Sequence, residues 1–185
     1  MFDELVIHVP DTEFYNYDTE EFVMVKGATL RLKHSLFSVS HWESKWKIPF
    51  LEKKPEKTKE QMIHYVKCMT INKNVDPNLY LALTADNWKQ IEAYIEDKMS
   101  ATWFNDDDPS KPRKKEIITS EIIYFWMISQ NIPMECERWH LNRLLTLIHV
   151  CSIKNAPPKK MSKNSVMNRN RALNAARKKK YGTKG

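Results

Sequence analysis

IITSEIIYFWMISQNIPMECERWHLNRLLTLIHVCS, residues 117–152, is the most apolar stretch of the chain and decides the fold. Its first part has apolar residues all round a helical projection, with Ile122, Phe125 and Trp126 on one side and Ile123 and Met127 on the other. A helix of that kind is expected to be buried on more than one side. The β-branched and aromatic content also permits a strand, but an apolar run of about twelve residues favours a helix. Thr119 or Ser120 is placed to cap it, and Asn131, Ile132 and Pro133 make the following turn. Glu135 and Glu137 then fall in the first turn of a second helix, where acids complement the dipole. In that helix Leu141, Leu144, Leu145 and Ile148 form one stripe, while Trp139 and Val150 face roughly the opposite way.

Upstream, shorter elements are expected to pack on this pillar. Residues 4–33 favour strands, and a turn at Lys26, Gly27 and Ala28 predicts a hairpin between residues 22–25 and 29–33, with Gly27 free to take positive φ. Its exposed edge leaves open whether strands pair within a subunit or between the subunits of a homo-oligomer. Ser40 and Glu43 have capping-box spacing, which predicts a short helix with Trp42 and Trp46 on one face, ended by Pro49. Thr58 and Gln61 open another helix carrying Met62, Tyr65, Val66 and Met69. Asp76 before Pro77 reads as a cap and first helical position, and Thr84 caps a helix with Trp88, Ile91, Ile95 and Met99 in a stripe. Residues 105–115 (NDDDPSKPRKK) break the pattern and read as an internal linker or mobile loop. The expected fold class is mainly α with a small N-terminal β-hairpin or sheet (α+β): a compact helical bundle over 1–153, followed by a basic, partly helical or flexible tail over 154–185.

A chain of 185 residues is long enough for one good core and short for two. Its net charge of +7 is unevenly divided. Residues 1–153 hold 19 Lys and Arg against 23 Asp and Glu, whereas residues 154–185 hold 11 Lys and Arg and no acid, so the tail supplies all the basicity. Such a tail attracts nucleic acid or an acidic protein surface without choosing between them. The longest uncharged run, residues 122–134, is 13 residues, below the ~20 that a membrane-spanning helix needs. Asp3 and Glu4 stand where a signal peptide would be basic, so a cytosolic location is expected. The three cysteines, Cys68, Cys136 and Cys151, read as reduced core thiols.

Glycine is the most decisive count, because the only three are Gly27, Gly182 and Gly185. Phosphate-cradling loops and dinucleotide folds need glycines at a turn and a helix entrance, so P-loop, Rossmann and kinase functions are excluded. Other traces of chemistry have plainer readings. Cys136 and His140 are spaced i,i+4 but His149 projects away from them, so no zinc site assembles. Asp11 with Glu43 and Lys45 mimics a nuclease motif, yet the glutamate has a capping role on a predicted helix. Asp106, Asp107 and Asp108 lack the spaced ligands of a calcium loop. No metal, cofactor or enzymatic activity is expected.

Four blocks carry a family resemblance: WESKWKIPFL at 42–51, IITSEIIYFWM at 117–127, ECERWHLNRLLTLIHVC at 135–151, and the ending KKMSKNSVMNRNRALNAARKKKYGTKG at 159–185. From about Leu30 to the C-terminus the chain resembles the tail assembly chaperones of long-tailed, siphovirus-type bacteriophages. The resemblance implies a small helper in the host cytoplasm, absent from the finished virion. It would coat the tape measure protein, keep it soluble, and help recruit tail tube protein; some members also occur as a longer frameshifted product. On this reading Trp42, Trp46, Trp139 and Val150 contribute apolar partner contacts, and Arg169, Arg171, Arg177, Lys178, Lys179 and Lys180 dock acidic protein surface. Two rival classes stand beside it: a nucleic-acid-binding accessory protein using the basic tail, and a minor structural virion protein.

Overall fold

The N-terminal strands form a two-stranded ribbon. The computed structural model describes residues 4–16, 20–104, 116–156 and 163–182. Strand β1 (Leu5–Val9) pairs antiparallel with β4 (Ala28–Leu32), and β2 (Thr12–Asn16) pairs antiparallel with β3 (Glu21–Val25). Partner numbers add to 37 in both ladders, so one register runs through an interruption at residues 10–11 and 26–27.

This corrects the expected hairpin, because β3 runs on into β4 instead of folding back on it. Gly27 is not at a reversal and does not take positive φ. It is required by close approach: a Cβ there would lie 2.6 Å from the Val9 carbonyl oxygen and 2.7 Å from the Asp11 nitrogen. The Gly27 amide donates to Asp11 Oδ1 at 2.6 Å, which stitches the interruption. Pro10, with no N–H to give a ladder, falls where the pairing lapses.

The β1–β4 half alternates as a half-buried sheet should, with Ile7, Val9, Leu30 and Leu32 buried and Val6, His8, Thr29 and Arg31 exposed. The free edge of β4 is closed by residues 69–72. Lys33 N donates to Met69 O and Ile71 N to Arg31 O, at 2.8 and 2.9 Å. The Asn72 side chain continues the ladder, accepting from Arg31 N and donating to Thr29 O.

Helix α1 (Leu36–Trp46) starts at a capping box of Ser35 and Ser38, not of Ser40 and Glu43. Helix α2 (Lys59–Met69) has the expected box at Thr58 and Gln61. Asp76 caps a 3-10 turn with Pro77 at its first position, and Thr84 with Asn87 caps α3 (Ala85–Glu96). That helix stops at Glu96, so Met99, at φ 47°, lies beyond the expected stripe. Asn87 also donates to His8 O at 3.1 Å, pinning α3 to β1.

The pillar divides differently from its sequence reading. Helix α4 covers Ser120–Ser129, a 3-10 turn covers Met134–Arg138, and α5 covers Leu141–Asn155. The second helix therefore begins later than expected, and Cys136, Trp139 and His140 precede it. The cause is tertiary: Leu141 N donates to His34 O at 3.0 Å and Ser35 forms a bridge with His140, which holds this backbone extended. Tyr124 in α4 donates to Glu137 at 2.8 Å, tying the 3-10 turn back to that helix.

The chain separates into two units, Met1–Ser152 and Ile153–Gly185. Among the described residues, the buried core, from Ile7 to Ile148, lies in the first. The second contains helix α6 (Lys163–Tyr181), which has no buried residue. The expected linker at 105–115, with its three aspartates, and the prolines at 157–158 lie outside the described residues.

Candidate partner-binding surfaces

The residues expected to meet a partner divide into core and surface. Trp42 is fully buried, with its indole N–H donating to Gln61 O at 2.8 Å, and it has no surface to offer. Trp46 is half-buried against the core and donates to His64 Nδ1 at 3.3 Å. Trp139 is half-buried, with the Arg143 guanidinium 4.5 Å from its ring, and Val150 is half-buried on α5. Arg169, Arg171, Arg177, Lys178, Lys179 and Lys180 are all exposed on α6.

The larger apolar surfaces lie where sequence reading did not place them. Helix α4 was expected to be buried on more than one side; it buries Ile123 and Met127 but presents Phe125 and Ile128, each 65% exposed. Ile118 and Trp126 join Leu145 and Ile148 in lining a groove of about 460 Å³, where Gln130 Oε1 is buried with no hydrogen-bond partner among the described residues. The second surface is the outer ribbon, where Phe22 and Met24 are 71% and 70% exposed. Helical periodicity could not distinguish the open strip of α4 from its covered sides, because every side is apolar. The ribbon surface was hidden by the mistaken hairpin.

A buried polar cluster joins the elements beneath these surfaces. His34 and His140 pack edge to face with ring centroids 5.0 Å apart, and Tyr94 meets His140 edge-on at 4.9 Å. His140 Nε2 donates to Tyr94 O at 2.9 Å while its Nδ1 accepts from Asn142 N, which fixes one neutral tautomer. His34 Nδ1 bonds the Tyr65 hydroxyl, and His34 N donates to Tyr94 Oη. Burial, reinforced by the neighbouring His140, pushes His34 down to a pKa of about 3.

Glu43 is buried at the junction of α1 and α4. Its Oε1 accepts from Phe50 N at 2.7 Å and its Oε2 from Ser120 N at 2.8 Å. Thr119 supplies no side-chain cap to α4, so the glutamate from α1 does so across the fold. Both its oxygens and Asp11 Oδ1 are thus taken up by backbone amides.

Among the described residues, no three His, Cys, Asp or Glu side chains converge to hold a metal ion. Burial pushes the Cys68 thiol up to about 11 and raises Cys136 as well, which disfavours thiolate chemistry at either. No helix among the described residues is long and apolar enough to cross a membrane. No protein-family model, curated protein or solved structure matches the chain.

Proposed function

We propose that this chain is a non-enzymatic tail assembly chaperone of a long-tailed bacteriophage, acting in the host cytoplasm to keep the tape measure protein soluble while tail tube protein assembles around it. The observation that carries this reading, beside the resemblance of its sequence blocks, is the open apolar strip of Phe125 and Ile128 on α4. Exposed apolar residues at i,i+3 spacing suit the apolar face of a partner helix, and a long helical partner offers many such faces. The exposed basic helix α6 supplies a second, electrostatic contact for acidic stretches of the same partner. Trp139 and Val150 contribute only their exposed portions, and Trp42 supports the scaffold from inside.

Co-expression with a tape measure protein, followed by solubility measurement and pull-down, tests the proposal. Wild-type chain is expected to raise the soluble fraction and co-purify. Phe125→Ser with Ile128→Ser is expected to lose most of that recovery, and removal of residues 156–185 to reduce it. Recovery unchanged by both variants would remove the chaperone assignment.

One observation favours a second reading. Residues 163–181 contain seven Lys and Arg and no acid, all on an exposed helix, which suits a nucleic-acid backbone. Nucleic-acid affinity that falls steeply with salt, together with no effect on tape measure solubility, would favour it. A minor structural role in the virion predicts instead that the chain is recovered in purified particles.

A further inference from the structure

The two ends of the chain carry opposite charge, and the contact proposed above for the basic helix leaves the acidic end without a role. Residues 1–25 contain seven Asp and Glu and no Lys or Arg, whereas residues 154–185 contain eleven Lys and Arg and no Asp or Glu. Each run coincides with an element that leaves apolar side chains uncovered.

At the acidic end, Glu13 is the cross-strand partner of Met24, and Tyr15 that of Phe22. Pleating puts all four side chains on one face of the outer ribbon. Tyr15 and Phe22 meet edge-on at 5.2 Å, and Glu20, also exposed, lies in the turn immediately before β3 at φ 56°. The face is an aromatic and aliphatic strip edged with carboxylates.

At the basic end, Val166 and Leu173 on α6 are seven residues apart and fall nearly in line. Arg169, Arg177 and Lys180 lie within about 50° of that line at 100° per residue. All five are exposed. This face is an aliphatic strip edged with cations, on a helix whose composition alone makes it marginal in water.

We infer that α6 of one copy docks on the outer face of the β2–β3 ribbon of a second copy. Val166 and Leu173 cover Phe22 and Met24, while Arg177 and Lys180 meet Glu13 and Glu20. Pairing ribbon with ribbon would oppose carboxylates, and pairing helix with helix would oppose cations; only the mixed contact satisfies both strips. Each copy carries one strip of each kind, so a second, reciprocal contact is available, and two such contacts would close a two-fold dimer.

The test uses the purified full chain without any other protein, so its failure leaves the chaperone reading untouched. Sedimentation velocity over a concentration series should give a dimer at about 0.1 M salt and a monomer at about 1 M, where the Debye length falls from roughly 10 Å to roughly 3 Å. E13K/E20K and R177E/K180E, all at exposed positions, should each lower association about tenfold or more through like-charge opposition. Circular dichroism verifies that both variants remain folded.

Mixing the two variants one to one should restore the dimer, since each then offers the strip the other now needs. A monomer at every concentration at low salt overturns the inference. Association indifferent to both variants places the interface on another face and overturns it equally. A monomer that regains compactness only when all four changes sit in one chain means that the helix folds onto its own ribbon, which also overturns the contact between copies.

Discussion

Glu43 shows how one side chain can have a role different from the one its local spacing suggests. Serine and glutamate three apart are the usual opening of a helix, yet here the box is made by Ser35 and Ser38, and the glutamate bonds two buried amides from distant segments. Glu43→Ala is expected to destabilise the fold by roughly 1–3 kcal/mol for each amide left bare, read from urea unfolding, and Glu43→Gln by less because one acceptor survives. His34 makes the pH dependence specific. An unfolded imidazole takes up its proton near 6.5 and the folded one near 3, so between those values the unfolded chain binds the extra proton. The contribution is fully present above 6.5 and is lost as pH falls toward 3. Unfolding free energy should therefore decline by up to about 1.4 kcal/mol per pH unit below 6.5, and a slope unaffected by replacing His34 would refute this origin.

At the scale of elements, legibility followed the range of the interactions. The caps at Thr58, Asp76 and Thr84 depend on residues two or three positions away, and all three form as read. The ribbon register depends on partners up to 27 positions apart, as for Leu5 and Leu32, and local turn chemistry at Gly27 pointed to the wrong pairing. Likewise the late start of α5 follows from a bond between Leu141 and His34, which no periodicity within residues 135–151 reveals. The candidate site divided in the same way. The exposed cations of α6 were legible from composition, whereas the open strip of α4 became visible only when its neighbours were placed. Gly27→Ala tests the revised ribbon: the new methyl would press on backbone atoms at 2.6–2.7 Å, so thermal denaturation should show a loss of about 1–3 kcal/mol. A glycine needed only for turn flexibility would not give this result, since its φ is not positive.

For the molecule as a whole, stability and charge reside in different places. Among the described residues, those that are buried lie between Ile7 and Ile148, and α6 contributes cations and no core. Removing residues 156–185 should therefore leave the unfolding free energy at about 0.1 M salt within about 0.5 kcal/mol of the full chain, measured at a protein concentration low enough to avoid association. A larger loss would show that the tail supports the fold. The closure of β4 by Asn72 also has a consequence in time. Residues of the ribbon leave the ribosome before Asn72, whose side chain completes the edge and is made 40 residues after Leu32. At synthesis rates of about 5–20 residues per second, that interval is roughly 2–8 s, during which a nascent chain carries an unfinished strand edge. Neighbouring ribosomes on one message would hold several such edges close together, a hazard that less frequent initiation, by spacing the ribosomes, would relieve.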